Sequence, residues 1–308
     1  MENVESELYN LKNSFYTHQH RAVLAYALDG FSEEYRLSAQ VFQIRSKVAL
    51  GEDASVMIDK AKTNFPDNND LFHLLQAWND FFTFGTDDST YFNDVATYKT
   101  ELQAVLTLIY LVKLEKSVDL ALERLTEYVE SEAGVQLEAL MYLIQFNLIK
   151  GNFTAAFKLF SSFLLLPALA RDLIIYQVLE SWVHSLKGES DNISSAYYFY
   201  DELLSAADDE DVEGKLVNLT LLLALTIQLK HYPEALELLE QIDSLAAKPN
   251  GDLIANKITL DYATENGANI PELLQQLKSA DDEHPALQDL KEKSQLFDEI
   301  VAKYKVGA

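Results

Sequence analysis

The chain contains no cysteine. A disulfide framework, a cysteine nucleophile and a thiolate metal site are thereby excluded. Proline and glycine are scarce, 6 and 10 among 308 residues, and no Pro/Gly/Ser-rich linker divides the sequence. No two glycines stand close enough for a dinucleotide fingerprint, and no Gly-rich loop leads into Lys-Ser/Thr. His-Glu-x-x-His and Gly-x-Ser-x-Gly are both missing. Basic residues are few, 24 against 49 acidic ones, for a net charge of −25. Such a surface repels nucleic-acid phosphates and anionic lipid headgroups, which argues against direct binding to either. The longest uncharged run, "LVNLTLLLALTIQL" from Leu216 to Leu229, is too short for the roughly 20 residues a bilayer span needs and reads as a buried helix. The opening "MENVESELYN" is acidic and lacks the apolar core of a signal peptide, so a cytosolic protein is expected. On that reading the Asn-x-Ser/Thr triplets at Asn152, Asn192 and Asn218 are chance matches.

What is present is helical periodicity. Apolar residues recur at helical spacing almost throughout, as in Leu102, Val105, Leu108, Ile109 and Val112, and no run of β-alternation stands out. The spacing predicts an all-α chain built as one continuous domain over residues 1–308.

Within that pattern lies a repeat. "LIKGNFTAAFKLF" (148–160) and "QLKHYPEALELL" (228–239) share a Lys, a short turn, an aromatic, an alanine and a large apolar residue. Phe153 aligns with Tyr232, Ala156 with Ala235 and Phe160 with Leu239, an offset of 232 − 153 = 79 residues. That is about twice the tetratricopeptide period of ~34, with a few residues over. Val118, Ala121 and Leu125 form an earlier copy at 153 − 118 = 35 residues, and Ala196 with Tyr200 an intermediate one after a longer loop. Each unit reads as two antiparallel helices. A small residue lets them approach closely, and the aromatic is expected to pack back across the pair. Such pairs bury their apolar faces only by stacking, which predicts a tetratricopeptide-like α-solenoid, a right-handed superhelix with a C-terminal cap at about 280–308.

Earlier pairs are expected to end near Pro66 and to turn at Gly85, with a first pair in "NLKNSFYTHQHRAVLAYAL". Trp78 and Trp182 fit apolar helix faces as core rather than sugar platforms, which removes one support for carboxylate-pair glycoside chemistry. The six histidines are scattered; His18 and His20 fall on one turn, a spacing that does not make a metal site. The acidic run "ADDEDVEG" (207–214) lacks the fixed ligand order of a calcium loop and reads as a solvated connection. No catalytic, cofactor-binding or metal-binding residues are assigned, and the chain is read as non-enzymatic.

Several stretches then resemble the coatomer epsilon-subunit family. "LYNLKNSFYTHQHRAVLAYA" is similar to the opening of that family through Lys12, Asn13, Phe15 and Tyr16. "AYYFYDEL" (196–203) resembles its aromatic-rich helix. The tail resembles the family's through Ala255 and Asn256, His284 and Pro285, Phe297, Asp298 and Tyr304. The chain departs at "THQHR", where the family commonly has a glycine-containing turn, and its many other differences suit a divergent, fungal-type member. The resemblance implies a non-enzymatic subunit of the COPI vesicle coat. Such a subunit binds the C-terminal region of the alpha subunit within a heteromeric complex with the other coatomer subunits. It supports Golgi-to-ER retrograde and intra-Golgi transport, and is cytoplasmic but peripheral on Golgi membranes and vesicles through the coat. No cofactor is implied, and a charge of −25 suits a subunit that reaches membranes through a partner.

Other tetratricopeptide adaptors, such as a SNARE-disassembly adaptor or a chaperone-binding module, remain the alternative. A chaperone-tail clamp needs basic residues on the concave helix faces. Counting from Leu102, Leu137 and Leu216, those positions come out as Gln103, Leu106 and Tyr110; Met141, Gln145 and Leu148; Thr220, Ala224 and Ile227. Only Lys113 nearby is basic. The concave row is therefore expected to be open and largely apolar, and to bind an apolar partner segment through Leu106, Tyr110, Met141, Gln145, Leu148, Thr220 and Ile227; the alternative is that a tightly wound solenoid buries these residues against its own neighbouring turns.

Overall fold

In a computed structural model, the chain is described over residues 6–85, 90–95, 97–113, 117–131, 136–162, 172–207, 211–245 and 250–304. Every regular element among these is helical. The first eleven α-helices are α1 (Ser6–Tyr16), α2 (His20–Ala25), α3 (Glu33–Ala49), α4 (Ser55–Asn64), α5 (Asn69–Phe84), α6 (Tyr91–Asp94), α7 (Glu101–Lys113), α8 (Val118–Ser131), α9 (Leu137–Ile149), α10 (Phe153–Ser162) and α11 (Ile174–Lys187). They are followed by α12 (Ser190–Ala206), α13 (Val212–Gln228), α14 (Tyr232–Ser244), α15 (Gly251–Thr264), α16 (Ile270–Ala280) and α17 (Pro285–Lys303). The fold is an all-α helical-repeat solenoid. Residues 1–187 with 207–214 form one compact unit, and 188–206 with 215–308 a second.

The repeat punctuation marks the structure at the places it predicts. Val118, Phe153 and Tyr232 each open the second helix of a pair. Ala121, Ala156, Ala196 and Ala235 are all buried, at most 1% exposed. Any larger side chain there would push two packed helices apart. The first helix of a pair ends in a recurrent left-handed turn. Gly51 and Gly151 take φ of 72° and 75°, and the amides of Glu52 and Asn152 reach back to the carbonyls of Lys47 and Asn147. This satisfies carbonyls the helix end would leave unpaired. His18 and Lys230 occupy the same place with φ of 64° and 62° and the same closing bond, Gln19 to Ser14 and His231 to Thr226. The departure at "THQHR" therefore keeps the turn and accepts a side chain where glycine would be relaxed.

Three expectations are corrected. Phe153 does not pack back across its pair: it is 45% exposed and, among the described residues, stacks along its own helix on Phe157, ring centres 6.4 Å apart. The alanine one turn later holds that pair together, and Tyr232 alone of the two aromatics joins its core. In the acidic run, Asp208, Asp209 and Glu210 lie outside the described residues. Asp211, however, is buried, because its carboxylate accepts the backbone N–H of Gly214 at 3.1 Å and caps α13. A Cβ on Gly214 would sit 2.7 Å from that carboxylate, which explains the glycine. The terminal helix α17 does not lay an apolar face on its neighbour. From residue 288 to 304 every side chain is exposed.

In the first unit the core runs through α3–α9 around Ile44, Phe72, Leu75, Val105, Leu108 and Leu125. The one-turn α6 contributes Phe92, which stacks on Tyr110 at 4.7 Å. Trp78 is buried there, and Trp182 packs on the cluster of α9–α11. In the second unit, α12–α15 close around Tyr200, Leu222, Leu223, Leu238 and Leu260. The uncharged run of α13 has no exposed residue between Gly214 and Ile227, as its hydropathy predicts.

α17 is seated by one residue pair. His284 Nδ1 accepts the Ala286 N–H at 3.2 Å, which leaves the proton on Nε2 to donate to Asp252 Oδ1, also at 3.2 Å. Gly251 lies against the imidazole, and a Cβ there would come within 2.7 Å of it. The His-Pro preceding the last helix is thus a cap and a hinge-pin between α15 and α17.

Candidate partner-binding face

The first helices of the pairs, α1, α3, α5, α7, α9 and α11, form the inner face of the first unit. α1 packs against α3 on one side and α11 on the other, so that face closes on itself. Two cavities remain. One, of about 470 Å³, lies among the N-terminal ends of these helices and is lined by Leu8, Leu37, Leu71, Leu102 and Leu137. The other, of about 520 Å³, lies toward their C-terminal ends and is lined by Trp78, Phe82, Ile109, Tyr142, Val178 and Trp182. Tyr16 and Arg45 line both, so they form the partition between them.

That partition is charged. Arg45 of α3 makes two hydrogen bonds to the Glu138 carboxylate of α9, 93 residues away. The two side chains are only 6% and 10% exposed. The guanidinium also lies over the Phe15 ring, 4.6 Å from its centre, a favourable cation–π placement. Burial opposes the Arg45 charge, but Glu138 outweighs it and holds the guanidinium above its ordinary range. The half-buried Tyr16 hydroxyl, bonded to Glu138, is pushed up by burial and then by that carboxylate. Tyr142 is pushed up to about 12 for the same two reasons. Glu101 of α7 accepts the Glu138 and Ala139 backbone N–H groups at 2.8 and 3.0 Å, capping α9. Burial still raises its carboxyl, helped by the nearby Glu138 charge and opposed by those bonds. His20 faces the same partition; burial lowers its imidazole to about 4, with His18 and Arg45 adding to the effect.

The predicted concave residues divide across this geometry. Leu106, Met141 and Gln145 line the second cavity together. Tyr110, Leu148, Thr220 and Ile227 line neither cavity of this unit. The expected open row is not open: Leu106 and Tyr110 are each 1% exposed and Met141 6%. The reason is the closure of the inner face and, for Tyr110, stacking on Phe81 and Phe92. Gln145 and Leu148 are half-buried, as are Gln103, Thr220, Ala224 and Ile227; the last three lie on α13 of the second unit. Lys113 is exposed at the cavity rim, its ammonium 5.1 Å from the Phe82 ring. Sequence reasoning missed the partition residues Tyr16, Arg45 and Glu138. An Arg and a Glu separated by 93 residues on polar-flanked helices carry no local signal.

Such a face can hold an apolar segment and orient it by a rim cation and half-buried amides. Its His20 Nδ1 lies 3.2 Å from the Ser46 hydroxyl, but Ser46 is fully buried and out of reach of a substrate; among the described residues no cluster of three or more metal-ligating side chains occurs. No helix among these residues is long and apolar enough to cross a membrane.

No curated protein matches the chain. Residues 165–305, just under half of it, match the family model of the coatomer epsilon subunit. The matched span contains the aromatic-rich α12, the His284–Pro285 cap and the Phe297, Asp298 and Tyr304 positions, whereas Lys12, Asn13, Phe15 and Tyr16 precede it. Over that span the chain is similar to the coatomer epsilon subunit family.

Proposed function

We propose that the protein is a non-enzymatic subunit of the COPI coat that binds the C-terminal region of the coatomer alpha subunit. In that role it serves Golgi-to-ER retrograde and intra-Golgi transport as a cytoplasmic protein, peripheral on Golgi membranes and vesicles. The observation that carries the reading is the family match over 165–305. The charge of −25 fits it: a chain that repels anionic headgroups reaches a membrane through its partners. The second cavity fits it too. It is lined mainly by apolar and aromatic side chains on rigid helices, the chemistry that receives an apolar segment. A single continuous 1–308 solenoid acting as one scaffold remains part of this proposal.

The test is affinity purification of the tagged full-length chain with mass spectrometry of what accompanies it. Recovery of the other coatomer subunits in stoichiometric amounts is expected. Their consistent absence would sink the proposal, and recovery of chaperones or SNARE-disassembly factors instead would favour the other adaptor class.

A further inference from the structure

We propose that α17 is a homotypic docking helix, through which two copies of the chain pair side by side and antiparallel. The helix is 19 residues long and opens on the His284 cap. From residue 288 to 304 each side chain is exposed among the described residues. Leu290, Phe297, Val301 and Tyr304 are 44–76% exposed, as are the flanking Leu296 and Ile300. These residues are not scattered. Leu287, Leu290, Ser294, Phe297, Val301 and Tyr304 recur at alternating steps of three and four, the spacing of a coiled-coil seam. A stripe at that spacing fits the groove of another helix.

The flanks point to a second copy as that helix. Beside the seam, the N-terminal half carries Lys291 and the C-terminal half Asp298, whereas Lys293 is held by Asp289 of its own helix at 2.6 Å. Laid antiparallel on itself, the helix places Lys291 opposite Asp298 of the second copy, and by symmetry Asp298 opposite Lys291. In the same register the small Ser294 faces the large Phe297, twice about the dyad, whereas a parallel pair would stack Phe297 on Phe297. Net charge selects the same orientation. The body of the second unit lies at the His284 end, so a parallel pair would bring two chains of −25 together at one end. Antiparallel pairing sets the two attachment points apart by the helix length, about 28 Å at 1.5 Å per residue. Contacts between copies through this helix would let one coat assembly grip another without a further protein.

Sedimentation of the full-length chain at 150 and 500 mM salt, from about 1 µM to about 1 mM, tests the pairing. A reversible monomer–dimer equilibrium is expected, abolished by F297D/V301D with the helical signal unchanged, since these side chains are 66% and 46% exposed and belong to no core cluster among the described residues. K291D alone and D298K alone should each weaken it about tenfold by facing like charges, and the K291D/D298K chain should dimerise again. A parallel pair would be indifferent to K291D, because Lys291 would then lie beside Ala286. A chain that stays monomeric throughout overturns the proposal, and so does a dimer that survives F297D/V301D or a double swap no better than its singles. If F297D/V301D instead costs only the recovery of other coat subunits, α17 serves a different partner and homotypic pairing is refuted.

Discussion

Removal of Arg45 isolates the energetics of the partition. Arg45→Met keeps the stem length and deletes the cation, leaving Glu138 facing an apolar interior with Glu101 nearby. Because the pair is only 6% and 10% exposed, little water replaces the lost partner. Breaking a buried pair on one side costs about 3–5 kcal/mol, mostly the penalty of the orphaned charge. The upper end is expected here, since burial and the Glu138 charge already raise the Glu101 carboxyl. Arg45→Met/Glu138→Leu removes both charges and should fall between neutral and about 4 kcal/mol more stable than the parent. Both tryptophans of the chain, Trp78 and Trp182, line the cavity beside the partition. Tryptophan fluorescence during urea unfolding therefore reports on the first unit by itself, and the midpoint shift at constant slope gives the energy. A loss below about 1 kcal/mol for Arg45→Met, or a double variant as damaged as the sum of the singles, would refute the reasoning.

Four further outcomes are expected. The folded His20 imidazole is lowered to about 4 by burial, so it contributes stability at pH above its unfolded value of about 6.5 that is lost as pH falls toward 4; urea midpoints of His20→Gln should lose that slope, and an unchanged slope would refute the assignment. His18 holds φ of 64° where Gly51 and Gly151 stand in the matching turns, so His18→Gly should raise the melting temperature through a gain of about 0.5–1 kcal/mol. Ala156→Arg should prevent stable folding of its pair, because the position is fully buried, whereas Phe153→Ala should cost less than about 1 kcal/mol, well short of the 3–5 of a core aromatic. Gln145→Lys, which places a charge in the second cavity, should weaken capture of the alpha subunit's C-terminal region in pull-downs with little change in melting temperature; undiminished capture would place the partner elsewhere.

The repeat was legible in sequence because its determinants are local. A small residue sits where the two helices of a pair touch, a left-handed turn closes the first helices whose ends are described, and both recur at a near-constant period, so Ala121, Ala156, Ala196 and Ala235 could be placed from sequence. The absence of cysteine and the sign of the net charge likewise acted through the whole chain and needed no fold to interpret. The candidate face was legible only in part. The residue types at Leu106, Met141 and Gln145 could be assigned to an inner surface from helical spacing. Whether that surface is open depends on how far successive pairs rotate, a small angle per repeat that no single residue encodes. Only the tertiary structure brings α1 against α11 and joins Arg45 to Glu138, because their meeting sums the rotations of every pair between them. The same holds for α17. Its heptad spacing is written in the sequence, but an apolar stripe is ordinarily covered. That this one is left to solvent follows from the His284–Asp252 seat, which fixes the helix by its first turn and leaves the rest without a neighbour.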